Sequence, residues 1–100
     1  MIFITQLIYI HEGQESVFQE FENIAIPAIS KYKGRLLLRI RPTKASFIEH
    51  CIDQPYEIHV VEFESDQDLE KYKEDENRNT FLHLKYKSVK PVLIIKGTKI

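Results

Sequence analysis

The sequence predicts an α+β domain in which four antiparallel strands form one sheet and two helical segments cover one of its faces. Apolar patterns typical of strands alternate with longer patterns of helical spacing, in the order strand, helix, strand, strand, helix, strand. The first strand is apolar on both faces, which suits a central strand whose outer face is also buried. Two βαβ units with right-handed crossovers also place the first and third strands in the middle. This βαββαβ arrangement is the ferredoxin-like topology.

The first part of the chain contains a strand at residues 2–10 and a helix that follows a turn at residues 11–14. Apolar residues at helical spacing define this helix: Val17, Phe21, Ile24 and Ala28. Pro27 lies inside the pattern and is expected to kink the helix or divide it in two. Gly34 is predicted to stop the helix at its C-terminal end.

The second strand is predicted at residues 35–41, directly before Pro42. Strict alternation places three apolar side chains on one face: Leu36, Leu38 and Ile40. Three arginines share the other face with Leu37: Arg35, Arg39 and Arg41. Residues 43–54 have no clear period and are predicted to form a long loop, a kind of segment that is often functional in compact domains.

The third strand, predicted at residues 56–63, alternates cleanly until the adjacent apolar pair Val60–Val61. This pair predicts a β-bulge in the third strand. The bulge would return Glu62 to the face that carries Glu57 and His59. Without a bulge, Glu62 would point towards the helices.

The last part of the chain predicts a helix, a break and a second helical piece before the fourth strand. Ser65 and Asp68 have the spacing of a capping box with a shorter acid. Polar residues interrupt the helical pattern near residues 75–77, and the pattern then resumes to about Tyr86. The fourth strand is predicted at residues 92–96.

Composition describes one soluble globular domain over residues 1–100, with 43% hydrophobic and 29% charged residues. A net charge of −1 provides no attraction to nucleic acid or to an anionic membrane, and the longest apolar run is too short to span a bilayer. The only cysteine, Cys51, excludes an internal disulfide. The first strand starts directly after Met1, so no signal peptide is expected. We therefore expect a cytoplasmic protein.

Charged residues on the second and third strands form the candidate site. Arg39 and Arg41 share one face of the second strand, and Glu57 and His59 share a face of its antiparallel neighbour. On the sheet face turned away from the helices, Glu57 or His59 could move a proton while Arg39 holds an anionic group. Arg41 and Glu62 would complete the binding site. The alternative is a ladder of ion pairs at the sheet edge or at a subunit rim.

Other polar residues predict no further chemistry. No spacing of His, Cys, Asp and Glu matches a metal motif, so neither a metal nor another cofactor is expected. Asp75 and Arg78 have the spacing of a local salt bridge, with a role at the mouth of the site as the alternative. The third strand lacks the aromatic pattern of RNA-binding ferredoxin-like domains.

The second apolar face of the first strand predicts a partner. One hundred residues leave little chain to cover both sides of a sheet, so we expect a second copy of the chain to pack on the open sheet face.

Three stretches carry a family resemblance: residues 31–39, 55–65 and 72–78. With the proline in the first helix before a Gly-Arg strand, they resemble an uncharacterised bacterial family of the dimeric α/β-barrel superfamily. The resemblance implies two sheets packed face to face across a two-fold axis, around a lumen that can hold a small molecule. The superfamily includes cofactorless monooxygenases, lactone isomerases, haem-degrading enzymes and effector-binding modules. This chain has no tryptophan, which haem-degrading and many monooxygenase members use in their pockets.

Two functions follow from these expectations. The first is a cofactor-independent enzyme that performs acid/base chemistry on a small organic acid in the barrel lumen. The alternative is a non-catalytic, ligand-binding or stress-associated homodimer. A Glu57–His59 pair that faces a cavity favours the first, and a dry interface with these side chains at its rim favours the second.

Overall fold

Four strands form one antiparallel sheet in the computed structural model of this chain, which describes residues 1–100. They are β1 (Ile2–Ile8), β2 (Gly34–Ile40), β3 (Glu57–Phe63) and β4 (Leu93–Gly97). Their order across the sheet is β2-β3-β1-β4, so the first and third strands are central. The predicted ferredoxin-like arrangement with a four-stranded antiparallel sheet is confirmed.

One long helix, α1 (Glu15–Ile29), packs an apolar face against the sheet. Its buried apolar residues recur at helical spacing: Phe18, Phe21, Ala25, Ala28 and Ile29. The helix is not divided at Pro27, because it continues to Ile29 and then tightens into a 3₁₀ turn, Ser30–Tyr32. The left-handed residue after this turn is Lys33, with φ 59°, and not the glycine that the sequence predicts as the stop.

Gly34 opens β2 instead, and close packing explains why the residue is a glycine. A Cβ atom at this position would lie 2.5 Å from Cε1 of Phe63 and 2.6 Å from Cγ2 of Ile29. Both neighbours belong to the hydrophobic core, so neither can move away easily.

Three short helices lie between β3 and β4: α2 (Asp66–Lys73), α3 (Glu76–Thr80) and α4 (Leu82–Ser88). The break predicted near residues 75–77 lies at residues 74–75, directly before α3, and a second break at Phe81 was not predicted. Ser65 caps α2 as expected, since its Oγ accepts the backbone N–H of Asp68 at 3.2 Å. None of the helices combines the length and apolar character needed to cross a membrane.

A β-bulge lies in β2 and not, as predicted, in β3. The pairing of β3 with β1 runs without a shift from Glu57 to Phe63. The pairing of β2 with β3 shifts between Leu36 and Leu38, which leaves Leu37 as the extra residue. The bulge changes the face of every β2 residue that follows it.

The two faces of the sheet differ in what covers them. The helix-covered face holds the main core cluster: Ile2, Ile4, Ile29, Val61, Phe63 and Leu69. The opposite face, called the open face here, is defined by alternate positions of all four strands: Phe3, Thr5, Leu7, Arg35, Leu38, Ile40, Ile58, Val60, Glu62, Leu93 and Ile95. No element of the chain covers this face, and its apolar side chains are half-buried or exposed.

Candidate functional site

The structure brings four of the five predicted site residues together, on the helix-covered face. Arg39, Arg41 and His59 all surround Glu57. The sequence placed this group on the face turned away from the helices. The bulge in β2 and the unbroken alternation of β3 reverse that assignment.

The fifth residue, Glu62, lies on the open face and takes no part in this group. Its Oε1 accepts a hydrogen bond from Nε of Arg35 at 2.9 Å and lies 2.8 Å from Nη2 of the same guanidinium in an ion pair. Because β3 has no bulge, Glu62 alternates with His59 and Val61 and cannot share their face. The expectation that an unbulged β3 would turn Glu62 towards the helices is wrong, because Glu57 and His59 themselves lie on the helix-covered face. The expected single cluster is therefore two separate ion-pair groups, one on each face.

Glu57 is the centre of the helix-side group and is only 1% exposed. Its Oε1 accepts from Nε of Arg39 and Nε2 of His59, each at 2.7 Å. Its Oε2 accepts from Nε of Arg41 at 2.8 Å and Nη2 of Arg39 at 3.1 Å. Burial alone raises the pKa of this carboxyl, but the hydrogen bonds from Arg39, His59 and Arg41 outweigh burial and hold the pKa below its ordinary value. Glu57 is therefore a permanent carboxylate at neutral pH.

His59 is oriented by that carboxylate. An ionised carboxylate can only accept hydrogen bonds, so Nε2 of His59 carries the hydrogen and donates it to Glu57. Burial lowers the pKa of His59, and the positive charge of Arg39 lowers it further, while Glu57 acts in the opposite direction. The ring is therefore neutral at pH 7, with the lone pair on Nδ1. The hydrogen bond with Glu57 is the only one that the ring makes.

His59 lines a partly enclosed cavity of about 80 Å³ between α1 and the sheet. The apolar part of its wall belongs to the core. The polar part comes from six elements and includes both acidic and basic side chains: Gln6, Glu22, His59, Tyr72, Arg78 and Lys85. A space of this size holds a few water molecules or a small organic molecule.

Glu22 of α1 supplies the carboxyl of this wall, and its surroundings differ from those of Glu57, which does not line the cavity. It is 9% exposed and accepts no hydrogen bond from a side chain. Burial raises its pKa from 4.5 to about 7, against the positive charges of Arg39, Lys85 and Arg78. A carboxyl with this pKa exchanges its proton readily at neutral pH.

Arg78 and Lys85 bring positive charge to the same wall. The guanidinium of Arg78 lies over the rings of Tyr72, at 5.0 Å, and Phe21, at 5.8 Å. Its Nε is buried without a hydrogen-bond partner. Burial lowers the pKa of Lys85, and the charge of Arg78 lowers it further.

The predicted salt bridge between Asp75 and Arg78 is not formed. Asp75 instead caps α3, where its Oδ1 accepts the backbone N–H of Arg78 at 2.7 Å. Its Oδ2 accepts the hydroxyl of Tyr32 at 2.6 Å. The cap satisfies the carboxylate of Asp75, and this leaves the side chain of Arg78 available to the cavity.

A second cavity of about 60 Å³ adjoins the first, and Gln6, Glu22 and Lys85 line both of them. Its remaining wall is apolar and comes from β1, β4 and the segment before β4: Ile8, Val89, Val92 and Ile94. Glu22 therefore stands between a polar space and an apolar one.

Neither Glu22 nor Lys85 was predicted as a site residue. Glu22 could have been identified from its position in the sequence. It lies next to Phe21 and four residues after Phe18, on the apolar stripe of α1. A charged residue on the buried stripe of a helix needs a partner or a function. Lys85 left no such signal, because lysine is ordinary on a short polar helix.

No group of three or more His, Cys, Asp and Glu side chains in residues 1–100 is arranged to hold a metal ion. Cys51 is exposed, in the long loop before β3. The cavity therefore offers proton donors, proton acceptors and cations, with no ready set of metal ligands.

Solved structures with the same arrangement are numerous, although their sequences differ widely from this one. A protein of unknown function from Rhodopseudomonas palustris superposes with a TM-score of 0.82 at 9% identity, over 99% of this chain and 82% of that one. A DABB family protein with a ferredoxin-like fold from Mesorhizobium loti gives a TM-score of 0.69 at 16% identity, over 99% and 96%. The fold is ferredoxin-like. The predicted resemblance is thus confirmed for the fold.

A third similar structure, described as a proposed antibiotic biosynthesis monooxygenase from Nitrosomonas europaea, has a TM-score of 0.76 at 10% identity, over 100% of this chain and 99% of that one. No protein-family model and no curated protein matches the sequence. Identities this low carry the ferredoxin-like fold alone, so the chemistry of the chain has to be argued from its own cavity.

Proposed function

We propose that this protein binds a small organic molecule in the helix-side cavity and transfers a proton to or from it without a bound cofactor. The observation that carries the proposal is Glu22, a buried and unpaired carboxyl on the cavity wall with a pKa of about 7. Strongly shifted pKa values at the wall of a cavity are characteristic of acid/base sites.

The two carboxyls of the site have different roles in this proposal. Glu22 is the group that exchanges a proton with the bound molecule, because its pKa matches neutral pH. Glu57 stays ionised and orients His59, whose unprotonated Nδ1 is the second proton acceptor. Arg39 and Arg41 stabilise the ionised form of Glu57 through ion pairs. Two carboxyls whose environments push their pKa values apart are a recurrent basis for such a division of roles.

The proposal is tested by proton exchange in D₂O. Loss of α-proton NMR signals is followed for oxo acids (2-oxobutyrate, levulinate) and neutral ketones (acetone, butanone), each against buffer alone. We expect wild-type protein to accelerate exchange of at least one compound, Glu22→Gln to abolish the acceleration, and Glu20→Gln to retain it. Glu20 is an exposed carboxylate on the same helix, which makes it a matched control.

Direct titration supplies the second measurement. ¹³C NMR of the side-chain carboxyl of Glu22 is expected to report a pKa near 7. An ordinary value near 4.5 together with no exchange would refute the proposal. Binding of a compound without exchange would instead support the alternative of a non-catalytic ligand-binding protein.

We also propose that a second copy of the chain packs on the open face. Its apolar side chains come from all four strands, and Leu38, Ile40, Leu93 and Ile95 remain 42–56% exposed. The strands contribute one ion pair to this face, Arg35–Glu62, and Lys99 lies over the ring of Phe3 at 5.7 Å. A large apolar face on one chain is typical of an isologous interface, in which the same surface is used twice.

Light scattering after size-exclusion chromatography tests this pairing. Wild-type protein is expected to elute as a dimer, and Val60→Lys, which places a charge on a central strand of the open face, as a folded monomer. Ile48→Lys is the control, because Ile48 is 98% exposed in a loop. A monomeric wild-type protein at micromolar concentration would refute the proposal.

A further inference from the structure

Two cations on the cavity wall have no carboxylate within ion-pair distance, although both are partly buried. Neither Arg78 nor Lys85 forms a salt bridge, whereas Arg35, Arg39 and Arg41 all do. The two lie near enough for the charge of each to act on the same carboxyl, Glu22. Partly buried like charges without a paired counter-ion are unfavourable. The two side chains are therefore a candidate binding site for an anion.

Part of the guanidinium of Arg78, which lines this cavity, has no hydrogen-bond partner. Arg39 provides an example of carboxylate binding by an arginine in this protein. Its Nε and Nη2 donate hydrogen bonds to the two oxygens of Glu57. On Arg78 the same Nε is buried and has no partner. The hydrogen bonds that Arg78 makes through its side chain come from Nη1, at 3.4 Å to the carbonyl of Lys73 and to Oδ1 of Asn79. The Nε of Arg78 is therefore an unsatisfied hydrogen-bond donor beside the cavity.

The position of this guanidinium is held from three sides. The ring of Tyr72 lies 5.0 Å from the guanidinium and the ring of Phe21 lies 5.8 Å from it. The backbone of Arg78 is fixed by the Asp75 cap at the start of α3. A guanidinium that is stacked and anchored in this way loses little further freedom when it binds a ligand.

We propose that Arg78 and Lys85 form a carboxylate-binding site and that the molecule bound in the cavity is a small organic acid. Arg78 takes the two carboxylate oxygens through its Nε edge, and Lys85 supplies the second positive charge. The sequence assigned the anchoring of an anion to Arg39, but Glu57 occupies the Nε edge of Arg39. This inference rests on the proposed function, since it uses the same cavity, and it names the class of molecule on which Glu22 acts.

The chemistry of the wall favours a carboxylate over a phosphate. The space of about 80 Å³ is small, and Glu22, on the same wall, disfavours the second charge of a phosphate monoester. A planar monoanion matches one guanidinium fork and one ammonium. The apolar cavity beyond Glu22, lined by Ile8, Val89, Val92 and Ile94, can accept a short hydrocarbon chain on that acid.

The test is a comparison of an acid with its neutral isostere. Propionate and propionamide are titrated into ¹⁵N-labelled wild-type protein, Arg78→Gln and Lys85→Gln, and chemical-shift changes are followed at the cavity residues. We expect wild-type protein to bind propionate more tightly than propionamide. Arg78→Gln is expected to weaken propionate binding about tenfold to a hundredfold, as for loss of charged hydrogen bonds. Lys85→Gln is expected to weaken it less.

Matched variants separate charge from geometry and from folding. Lys87→Gln removes an exposed lysine from the same helix and is expected to change nothing. Arg78→Lys keeps the charge but has no fork, and is expected to recover only part of the affinity. Circular dichroism confirms that each variant is folded before it is titrated.

The outcomes distinguish this inference from the proposed function. Equal binding of propionate and propionamide, no binding of propionate, or binding that survives both Arg78→Gln and Lys85→Gln overturns the carboxylate site. Proton exchange of the oxo acids that depends on Glu22 but on neither Arg78 nor Lys85 overturns the carboxylate site and leaves the proposed function standing. Arginine-dependent binding of propionate with no proton exchange of any compound supports the site and overturns the proposed function.

Discussion

Replacing Glu22 with glutamine is expected to stabilise this protein at alkaline pH, which is an unusual result for a change at a buried site. Glutamine has nearly the shape of a protonated glutamic acid and carries no charge at any pH. The pKa of Glu22 is raised from 4.5 to about 7 by its burial. That difference corresponds to about 3 kcal/mol of free energy between the protonated and ionised forms of the folded protein.

The sign of the effect follows from proton binding. In the unfolded chain Glu22 ionises near pH 4.5, whereas in the folded protein it stays protonated up to about pH 7. Between these pH values the folded state holds the extra proton, so the contribution of Glu22 to the free energy of unfolding falls as the pH rises through this window. Ionisation of Glu22 therefore does not destabilise the folded protein below pH 4.5, and the destabilisation reaches its full size above about pH 7.

Urea unfolding followed by circular dichroism between pH 4 and pH 8 measures this difference. Glu22→Gln is expected to match wild-type protein at pH 4 and to exceed its free energy of unfolding by about 3 kcal/mol at pH 8. Glu20→Gln, at an exposed position of the same helix, is expected to follow wild-type protein at every pH. Parallel curves for Glu22→Gln and wild-type protein, or a less stable variant at pH 8, would refute the assignment of a raised pKa to this carboxyl.

Three further changes test the packing and the ion pairs. Gly34→Ala is expected to cost about 1–3 kcal/mol of stability, measured by urea unfolding, because its Cβ would press on the ring of Phe63. Ser65→Ala, which removes the hydroxyl that accepts the N–H of Asp68, is expected to lower stability by about 1 kcal/mol, and a loss below about 0.3 kcal/mol would contradict the cap. Glu57→Gln is expected to cost about 3–5 kcal/mol at pH 7 and to flatten the acid limb of the stability curve, since the lowered pKa of Glu57 gives wild-type protein stability that is lost as the pH falls below 4.5.

The location of the β-bulge could not be predicted from the periodicity of apolar residues. The adjacent residues Val60 and Val61 predicted a shift of register in β3, but both are apolar for a simpler reason. Val61 packs under the helices and Val60 lies on the open face, which is itself apolar. In addition, β3 is paired on both sides, whereas β2 has a single neighbour. A bulge costs fewer hydrogen bonds in an edge strand, and periodicity within one strand does not contain this information.

The grouping of the charged site residues could be predicted from the sequence, but the sheet face on which they lie could not. Charged residues at alternate positions of neighbouring strands do meet, so the grouping of Arg39, Arg41, Glu57 and His59 could be inferred from the chain. Which face carries the group depends on the register of β2 against β3, which the sequence alone did not specify. Glu22 of α1 and Lys85 of α4 line the same cavity as His59. This depends on how the helices pack over the sheet, which the sequence pattern does not contain.

The extra residue in β2 also affects how this protein avoids aggregation. A sheet with the order β2-β3-β1-β4 has two free edges, and an unpaired edge can recruit a strand from another molecule. Leu37 distorts one edge at its midpoint, and the other edge is a strand of only five residues, Leu93–Gly97. Extension of the sheet from edge to edge is therefore discouraged on both sides, while the open face stays available for contact between molecules. The same irregularity that turns Arg39 towards the helix-covered face thus also makes the β2 edge a poor template for fibre-like growth.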